Sequence, residues 1–109
     1  MKETEITIKV KLDDNNIPEQ ISWSAPDGGM FDESSKAMLL SFWDSQKKET
    51  LKMDLWTKEM PVDEMKTFIF QTFLSMKQSM SKATSEENLV NLIEDFCIEF
   101  EKRISNKSK

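Results

Sequence analysis

Three stretches of the chain alternate apolar and polar residues with a period of two, the pattern of a β-strand with one buried face. They cover residues 4–12, 17–24 and 49–56. Residues 13–16, Asp-Asp-Asn-Asn, have a turn composition and predict that the first two strands form a hairpin. Pro18 has no N–H to donate to a neighbouring strand, so we expect the second strand at an edge and the first strand in the centre of the sheet.

A different pattern, without alternation, predicts a first helix from Asp32 or Ser34 to about Lys48. At about 100° per residue its six apolar residues cover most of the helix circumference, which predicts burial on more than one side. These residues are Ala37, Met38, Leu39, Leu40, Phe42 and Trp43.

Two longer helices are predicted in the second half of the chain. Pro61 suits a first helical position, and an apolar stripe runs from Val62 to Met80. Thr84, with Glu87 three residues later, has the form of a capping box for a last helix that ends near Ile104.

The predicted order is therefore β-β-α-β-α-α, in the α+β class. Because each strand has one polar face, we expect a three-stranded antiparallel sheet with helices on one face. A length of 109 residues predicts a single domain over residues 1–109, and residues 105–109 are expected to form a disordered tail.

The formal net charge of -5 predicts no sequence-independent attraction to nucleic acid. No segment approaches the ~20 apolar residues that a membrane-spanning helix needs, so we expect a soluble, cytoplasmic protein with no direct membrane span. Cys97 is the only cysteine, which fits a reducing compartment.

The chain offers little catalytic chemistry. It has no histidine, a single cysteine and two adjacent glycines, which argues against Cys-His catalysis, thiolate zinc sites and phosphate-binding glycine loops. The acidic residues Asp27, Asp32 and Glu33 lack the spacing of a calcium-binding EF-hand. Carboxylates are plentiful, but no pair is distinguished by its spacing. We therefore expect no enzyme activity, no cofactor and no metal.

Recognition of a partner through the protein surface is the remaining class of function. Trp56 falls on the polar side of its strand, where it either folds under the following loop or contacts a partner. Trp43 and Phe42 either pack inside the domain or extend such a contact, and the same choice applies to Phe70 and Leu74, which project away from the main stripe of their helix. These five residues form the predicted partner contact.

Eight methionines suggest a second possibility, since methionine-rich apolar surfaces adapt to varied peptides. A chaperone-like peptide binder would use a groove lined by Phe73, Met76 and Met80. The alternative explanation of the methionines is ordinary packing in the core.

The residues also resemble a known family. The thirteen residues 54–66, DLWTKEMPVDEMK, together with residues 21–28, 40–44 and 95–97, are similar to the bacterial gliding-motility family GldC. The resemblance extends from Thr4 to about Phe100. It implies a small soluble protein associated with the machinery by which certain bacteria glide over surfaces, and it implies no catalytic residue or cofactor. We therefore expect a non-enzymatic accessory protein that contacts either a protein of the gliding machinery or a second copy of itself.

Overall fold

A computed structural model describes residues 2–107 of the chain. It divides into two compact units that meet in sequence at Met60 and Pro61. The first unit holds five strands and a short 3-10 turn at Pro26–Gly28, and the second holds two helices. In chain order the strands and helices are β1 Thr7–Leu12, β2 Pro18–Ala25, β3 Met30–Ser35, β4 Ala37–Asp44, β5 Glu49–Trp56, α1 Val62–Ala83 and α2 Glu87–Lys107.

Strands β1, β2 and β3 form an antiparallel sheet in that order. Val10 lies opposite Ile21, and Ile8 lies opposite Trp23, so the apolar residues of both strands share one face. Ile21 is fully buried there. The predicted hairpin and its one-sided apolar pattern are therefore confirmed.

The central strand of this sheet is β2, which corrects the expectation that β1 is central and β2 an edge. Pro18 is the first residue of β2 and lies opposite Leu12, where the pairing register shifts. A proline is tolerated at the start of a strand because the ladder does not require its missing N–H there.

The predicted helix between residues 32 and 48 is wrong, because this segment forms β3 and β4. Asp32 has a φ of 46° and cannot act as a helix cap. Met38, Leu40 and Phe42 alternate with other residues at the period of a strand, and each has an apolar partner on β5. The cross-strand contacts outweigh the helix propensity of the Ala-Met-Leu-Leu run.

Strands β4 and β5 form a second, two-stranded antiparallel sheet. Residues 45–48 connect them, and Asp44 Oδ1 accepts hydrogen bonds from the N–H groups of Gln46 (3.0 Å) and Lys47 (3.3 Å). Lys48 closes the loop with a φ of 53°. The strand predicted at residues 49–56 is confirmed, but its partner is β4 and not β1.

Helices α1 and α2 match the two later helices of the prediction. Asp63 and Glu64 occupy the first turn of α1, next to the positive end of the helix dipole. Thr84 ends α1: its hydroxyl donates to the Met80 carbonyl (2.9 Å) and accepts from the Glu86 N–H (3.2 Å). Residues 105–107 of the predicted tail are helical, and residues 108 and 109 lie outside the described residues.

The two helices pack through aromatic rings. The Phe73 ring makes edge contacts with the rings of Phe96 and Phe100, at centroid distances of 5.1 and 5.4 Å. Lys77 Nζ lies 2.7 Å from Glu94 Oε2, and Cys97 is buried. Edge-to-face pairs of this kind stabilise a contact by about 0.5–1.5 kcal/mol beyond their area burial.

The α+β class and the antiparallel pairing are thus confirmed. The predicted three-stranded sheet is corrected, because its third strand is β3, whereas β5 pairs with β4 in a second sheet. The placement of helices on one face of the sheet and the single domain over residues 1–109 stay predictions.

Candidate interaction surfaces

One face of the β4–β5 hairpin carries three directly opposed apolar pairs. Residues that pair across an antiparallel ladder project to the same side, so the six side chains form one surface. We call this surface the apolar ladder. Its pairs are Met38 with Leu55, Leu40 with Met53, and Phe42 with Leu51.

Half of the apolar ladder is exposed, whereas Met38, Leu40 and Leu55 are half-buried. Phe42 is 60% exposed, and Leu51 and Met53 are also more than half exposed. A two-stranded hairpin has no second layer of its own and is only marginally stable in water. Contiguous exposed apolar surfaces are a common feature of protein–protein interaction sites.

The apolar ladder continues into the first sheet of the same unit. Met38 borders a shallow apolar hollow that includes Ile8, Ile21 and Trp23 from β1 and β2. The apolar face of the three-stranded sheet and the ladder are therefore neighbours within this unit.

The other face of the hairpin carries Trp43 and Trp56, which are 64% and 56% exposed. Trp56 lies opposite Ala37, whereas Trp43 lies opposite Thr50. The two tryptophans therefore stand six positions apart along the ladder, or about 20 Å at the usual rise of a strand. Phe42 projects from the opposite face, so the structure does not bring these three predicted contact residues into one patch.

The base of the hairpin is fixed by Thr57, which is buried. Its N–H and its hydroxyl both donate to the carbonyl of Lys36, at 2.7 and 3.0 Å. The next residue, Lys58, forms an ion pair with Asp13 in the β1–β2 turn. These contacts tie the end of β5 to the β3–β4 junction and to the first hairpin.

Asp13 is the most strongly perturbed acid described. The hydrogen bond from Lys58 lowers the pKa of its carboxyl from 3.8 to about 2, with help from the N–H groups of Ile17 (3.0 Å) and Asn15 (2.8 Å). The same contact raises the pKa of the Lys58 ammonium. The Lys58 side chain is exposed, whereas the Asp13 side chain is only 14% exposed, and their hydrogen bonds hold a turn together.

Phe70 and Leu74 lie on α1. The Phe70 ring stacks on Phe100 of α2 with a centroid distance of 6.2 Å, and Leu74 is half-buried. Phe70 therefore points towards α2, a direction away from the stripe of Val62, Ile69 and Met76 on its own helix. The role of Phe70 and Leu74 in a partner contact stays a prediction.

The groove predicted from Phe73, Met76 and Met80 stays a prediction. Phe73 is engaged with the rings of α2, while Met76 is 54% exposed. An open apolar groove does exist on the helix hairpin, with no methionine in its lining. It is lined by Lys66, Phe96, Glu99, Phe100, Arg103 and Ile104.

Within residues 2–107 no group of three or more His, Cys, Asp or Glu side chains is arranged to hold a metal ion. In the same part of the chain, no helix combines the length and apolar character required to cross a membrane.

A protein-family model described as "Gliding motility-associated protein GldC-like" matches residues 18–106. The chain belongs to the GldC-like family. The resemblance seen in the sequence is thereby confirmed, and the family associates the protein with gliding motility. No curated protein and no solved structure gives a significant match. The GldC-like match begins at the first residue of β2 and includes the whole β4–β5 hairpin and most of α2.

Sequence reasoning missed the apolar ladder because residues 32–48 were interpreted as a helix. The available signal was limited. Met38, Leu40 and Phe42 stand at the period of a strand. However, Leu39 and Trp43 are also apolar, and of residues 45–48 only Ser45 is typical of a turn. A hairpin over residues 37–56 would have placed Phe42 opposite Leu51.

Proposed function

We propose that this GldC-like protein is a non-enzymatic accessory component of the gliding machinery that acts by binding another protein of that machinery. The observation that carries the proposal is the apolar ladder, on which Phe42, Leu51 and Met53 are each more than half exposed. The partner is a protein with a complementary apolar surface.

The ladder is large enough to contribute substantial binding energy. Complete burial of one large apolar side chain is worth roughly 1.5–3 kcal/mol. Three such side chains at the centre of an interface would therefore supply several kcal/mol before the entropic cost of association is subtracted. Phe42 is the expected hot spot, because aromatic anchors dominate the energy of most interfaces.

Trp56 and Trp43 lie on the reverse side of the same hairpin. Between them lie Lys52 and Asp54, which form an exposed ion pair at 3.3 Å. The proposed partner contacts the ladder and not this reverse side, so the two tryptophans are candidates for a separate contact. This arrangement retains Trp56 as a predicted contact residue while separating it from Phe42.

The site supports binding rather than chemistry. The side chains of the ladder are apolar, and the perturbed pair of Asp13 and Lys58 serves a turn. The buried free thiol of Cys97 supports our proposal that the protein acts in the reducing cytoplasm.

A matched pair of variants tests the proposal in a gliding bacterium that carries the chain. Phe42→Asp places a charge on the ladder, whereas Ser41→Asp places the same charge one residue away on the opposite face. Both side chains are exposed, so both proteins should fold and accumulate normally. The proposal expects loss of gliding with Phe42→Asp and normal gliding with Ser41→Asp. Normal gliding in both variants would overturn it.

A further inference from the structure

Helices α1 and α2 form a helix hairpin. Besides the contact between the two helices, this hairpin carries an apolar surface that neither helix covers. On α1, Phe70, Phe73 and Lys77 point towards α2. At about 100° per residue, a second group of residues points roughly 90° away from that direction. This group consists of Val62, Met65, Ile69, Thr72 and Met76.

Helix α2 shows the same arrangement. Cys97 and Glu94 lie on the side that meets α1. Leu89, Leu92 and Phe96 fall on an adjoining stripe with spacings of three and four residues, and Phe96 extends from this stripe to the ring of Phe73.

Both stripes lie on the same side of the hairpin. The two helices are right-handed, antiparallel neighbours, and each stripe is displaced in the same rotational sense from the contact between them. Because the helices run in opposite directions, a rotation of the same sense about each helix axis brings both stripes to the same side of the helix pair. We call this common surface the open face.

The open face is exposed and almost free of charge. Val62, Met76, Leu89, Leu92 and Phe96 are between 43% and 72% exposed. The charged residues of α1 all lie about 90° or more from the centre of its stripe. They are Asp63, Glu64, Lys66, Lys77 and Lys82.

Over residues 87–104 of α2 two charged residues, Glu99 and Arg103, continue the stripe at spacings of three and four residues. Arg103 Nε lies 3.0 Å from Glu99 Oε1, so the two charges are balanced within the same helix. Two copies of the open face can therefore meet without burying an unpaired charge.

The exposed area reaches the lower limit of a specific interface. Large apolar side chains carry roughly 150–250 Å² each, so the five exposed residues leave about 500 Å² uncovered per copy. Half-buried neighbours such as Ile69 and Ile93 add to this area. Face-to-face pairing would bury about 1,000 Å² or more in total, near the lower end of specific interfaces.

We propose that the open face is covered by the open face of a second copy, so that two helix hairpins form an antiparallel four-helix bundle. Two helices enclose no interior of their own, whereas four helices of this length enclose a continuous apolar core. The contact uses α1 and α2 only. It is independent of the proposed partner contact on the apolar ladder.

Light scattering of the full chain over an approximately hundredfold range of concentration measures the oligomeric state. The expected mass at high concentration is twice the 12.7 kDa of one chain. Leu92→Glu should reduce the mass to that of a monomer because the glutamate would be buried in the bundle core. Ile98→Glu is the matched control: Ile98 is 50% exposed on the far side of α2 from Phe96, so its variant should remain dimeric.

Two further measurements keep the test decisive. Circular dichroism checks that Leu92→Glu remains helical, and Met76→Glu on α1 takes its place if it does not. Alkylation of the cysteine in Leu92→Cys reports whether the open face is covered. We expect position 92 to be protected from alkylation in the dimer and to become reactive on dilution, when the dimer dissociates.

A monomer at every concentration would overturn the proposal, as would a dimer that survives both Leu92→Glu and Met76→Glu. A monomer whose position 92 stays protected at all dilutions would mean that the chain covers its own face. A monomer with position 92 open to alkylation would leave the face to a different protein. Either result would also overturn the proposal.

Discussion

Phe42 and Leu51 face each other across the β4–β5 hairpin, and both are more than half exposed. They are close cross-strand neighbours, yet this contact leaves most of both side chains in water. The pair therefore adds little to the stability of the isolated chain and is available to a partner.

Removal of the Phe42 ring should weaken partner binding but leave the stability of the protein almost unchanged. Phe42→Ala is expected to change the free energy of unfolding by less than about 1 kcal/mol, because the ring is mostly solvated. Denaturant unfolding of the purified protein measures this change. A loss of about 3 kcal/mol or more, the usual cost for a buried phenylalanine, would show that the chain buries the ring and would remove Phe42 from the contact.

The Asp13–Lys58 pair predicts a defined dependence of stability on pH. The pKa of Asp13 is lowered in the folded chain to about 2 from an ordinary value of 3.8. Its contribution to stability is therefore complete above about pH 5 and is lost as the pH falls through the range from about 4 to 2. In Asp13→Asn, stability should fall less between about pH 5 and pH 2.5 than in the unaltered protein.

Carboxyl chemical shifts in an NMR titration give the pKa of Asp13 directly. Lys58→Gln removes the largest cause of the shift and should move this pKa towards 3.8. An Asp13 pKa near 3.8 in the unaltered protein would contradict the ion pair.

Thr57 should anchor the base of the hairpin. Thr57→Val keeps the shape of the buried side chain but removes the hydroxyl donor to Lys36, while the backbone N–H bond remains. We expect a loss of about 0.5–1.5 kcal/mol in the free energy of unfolding, the usual net value of one hydrogen bond. Unfolding in urea measures the loss, and Thr50→Val, at an exposed site on β5, provides the control.

The aromatic cluster predicts how the helix hairpin is held. Phe100 contacts Phe70, Phe73 and Phe96, so Phe100→Ala removes three ring contacts at once. Because Phe100 is only half-buried, we expect a loss of about 1–3 kcal/mol, below the usual cost for a fully buried phenylalanine. Loss of helical circular dichroism on heating reports the change. An unchanged melting temperature would contradict the packing.

The parts of the fold that the sequence predicted correctly were those in which one local pattern is sufficient. The alternation from Glu49 to Trp56 and the long stripe from Val62 to Met80 each specify an element without knowledge of its neighbours. The prediction for residues 32–48 failed because the run Ala37–Leu40 consists of helix-forming residues and is apolar at every position, which suits either a helix or a strand. Only the pairing with β5 decides between the two, and that pairing is a long-range contact.

The candidate site was predicted in part for the same reason. Trp56 was correctly placed on the polar side of its strand, because strand alternation alone determines the side. The separation of Trp56 from Phe42 depended on the register between β4 and β5. A helix at residues 37–44 would have grouped Phe42 and Trp43 on nearby positions, whereas a strand places them on opposite faces.

Site-specific photo-crosslinking in gliding cells tests the central claim most directly. A photoreactive residue replaces Phe42 on the apolar ladder, and in a separate strain the same residue replaces Ser41 on the opposite face. We predict that position 42 crosslinks to a protein required for gliding, identified by mass spectrometry, and that position 41 yields much less of this product. No gliding protein captured from position 42, or equal capture from both positions, would contradict the account.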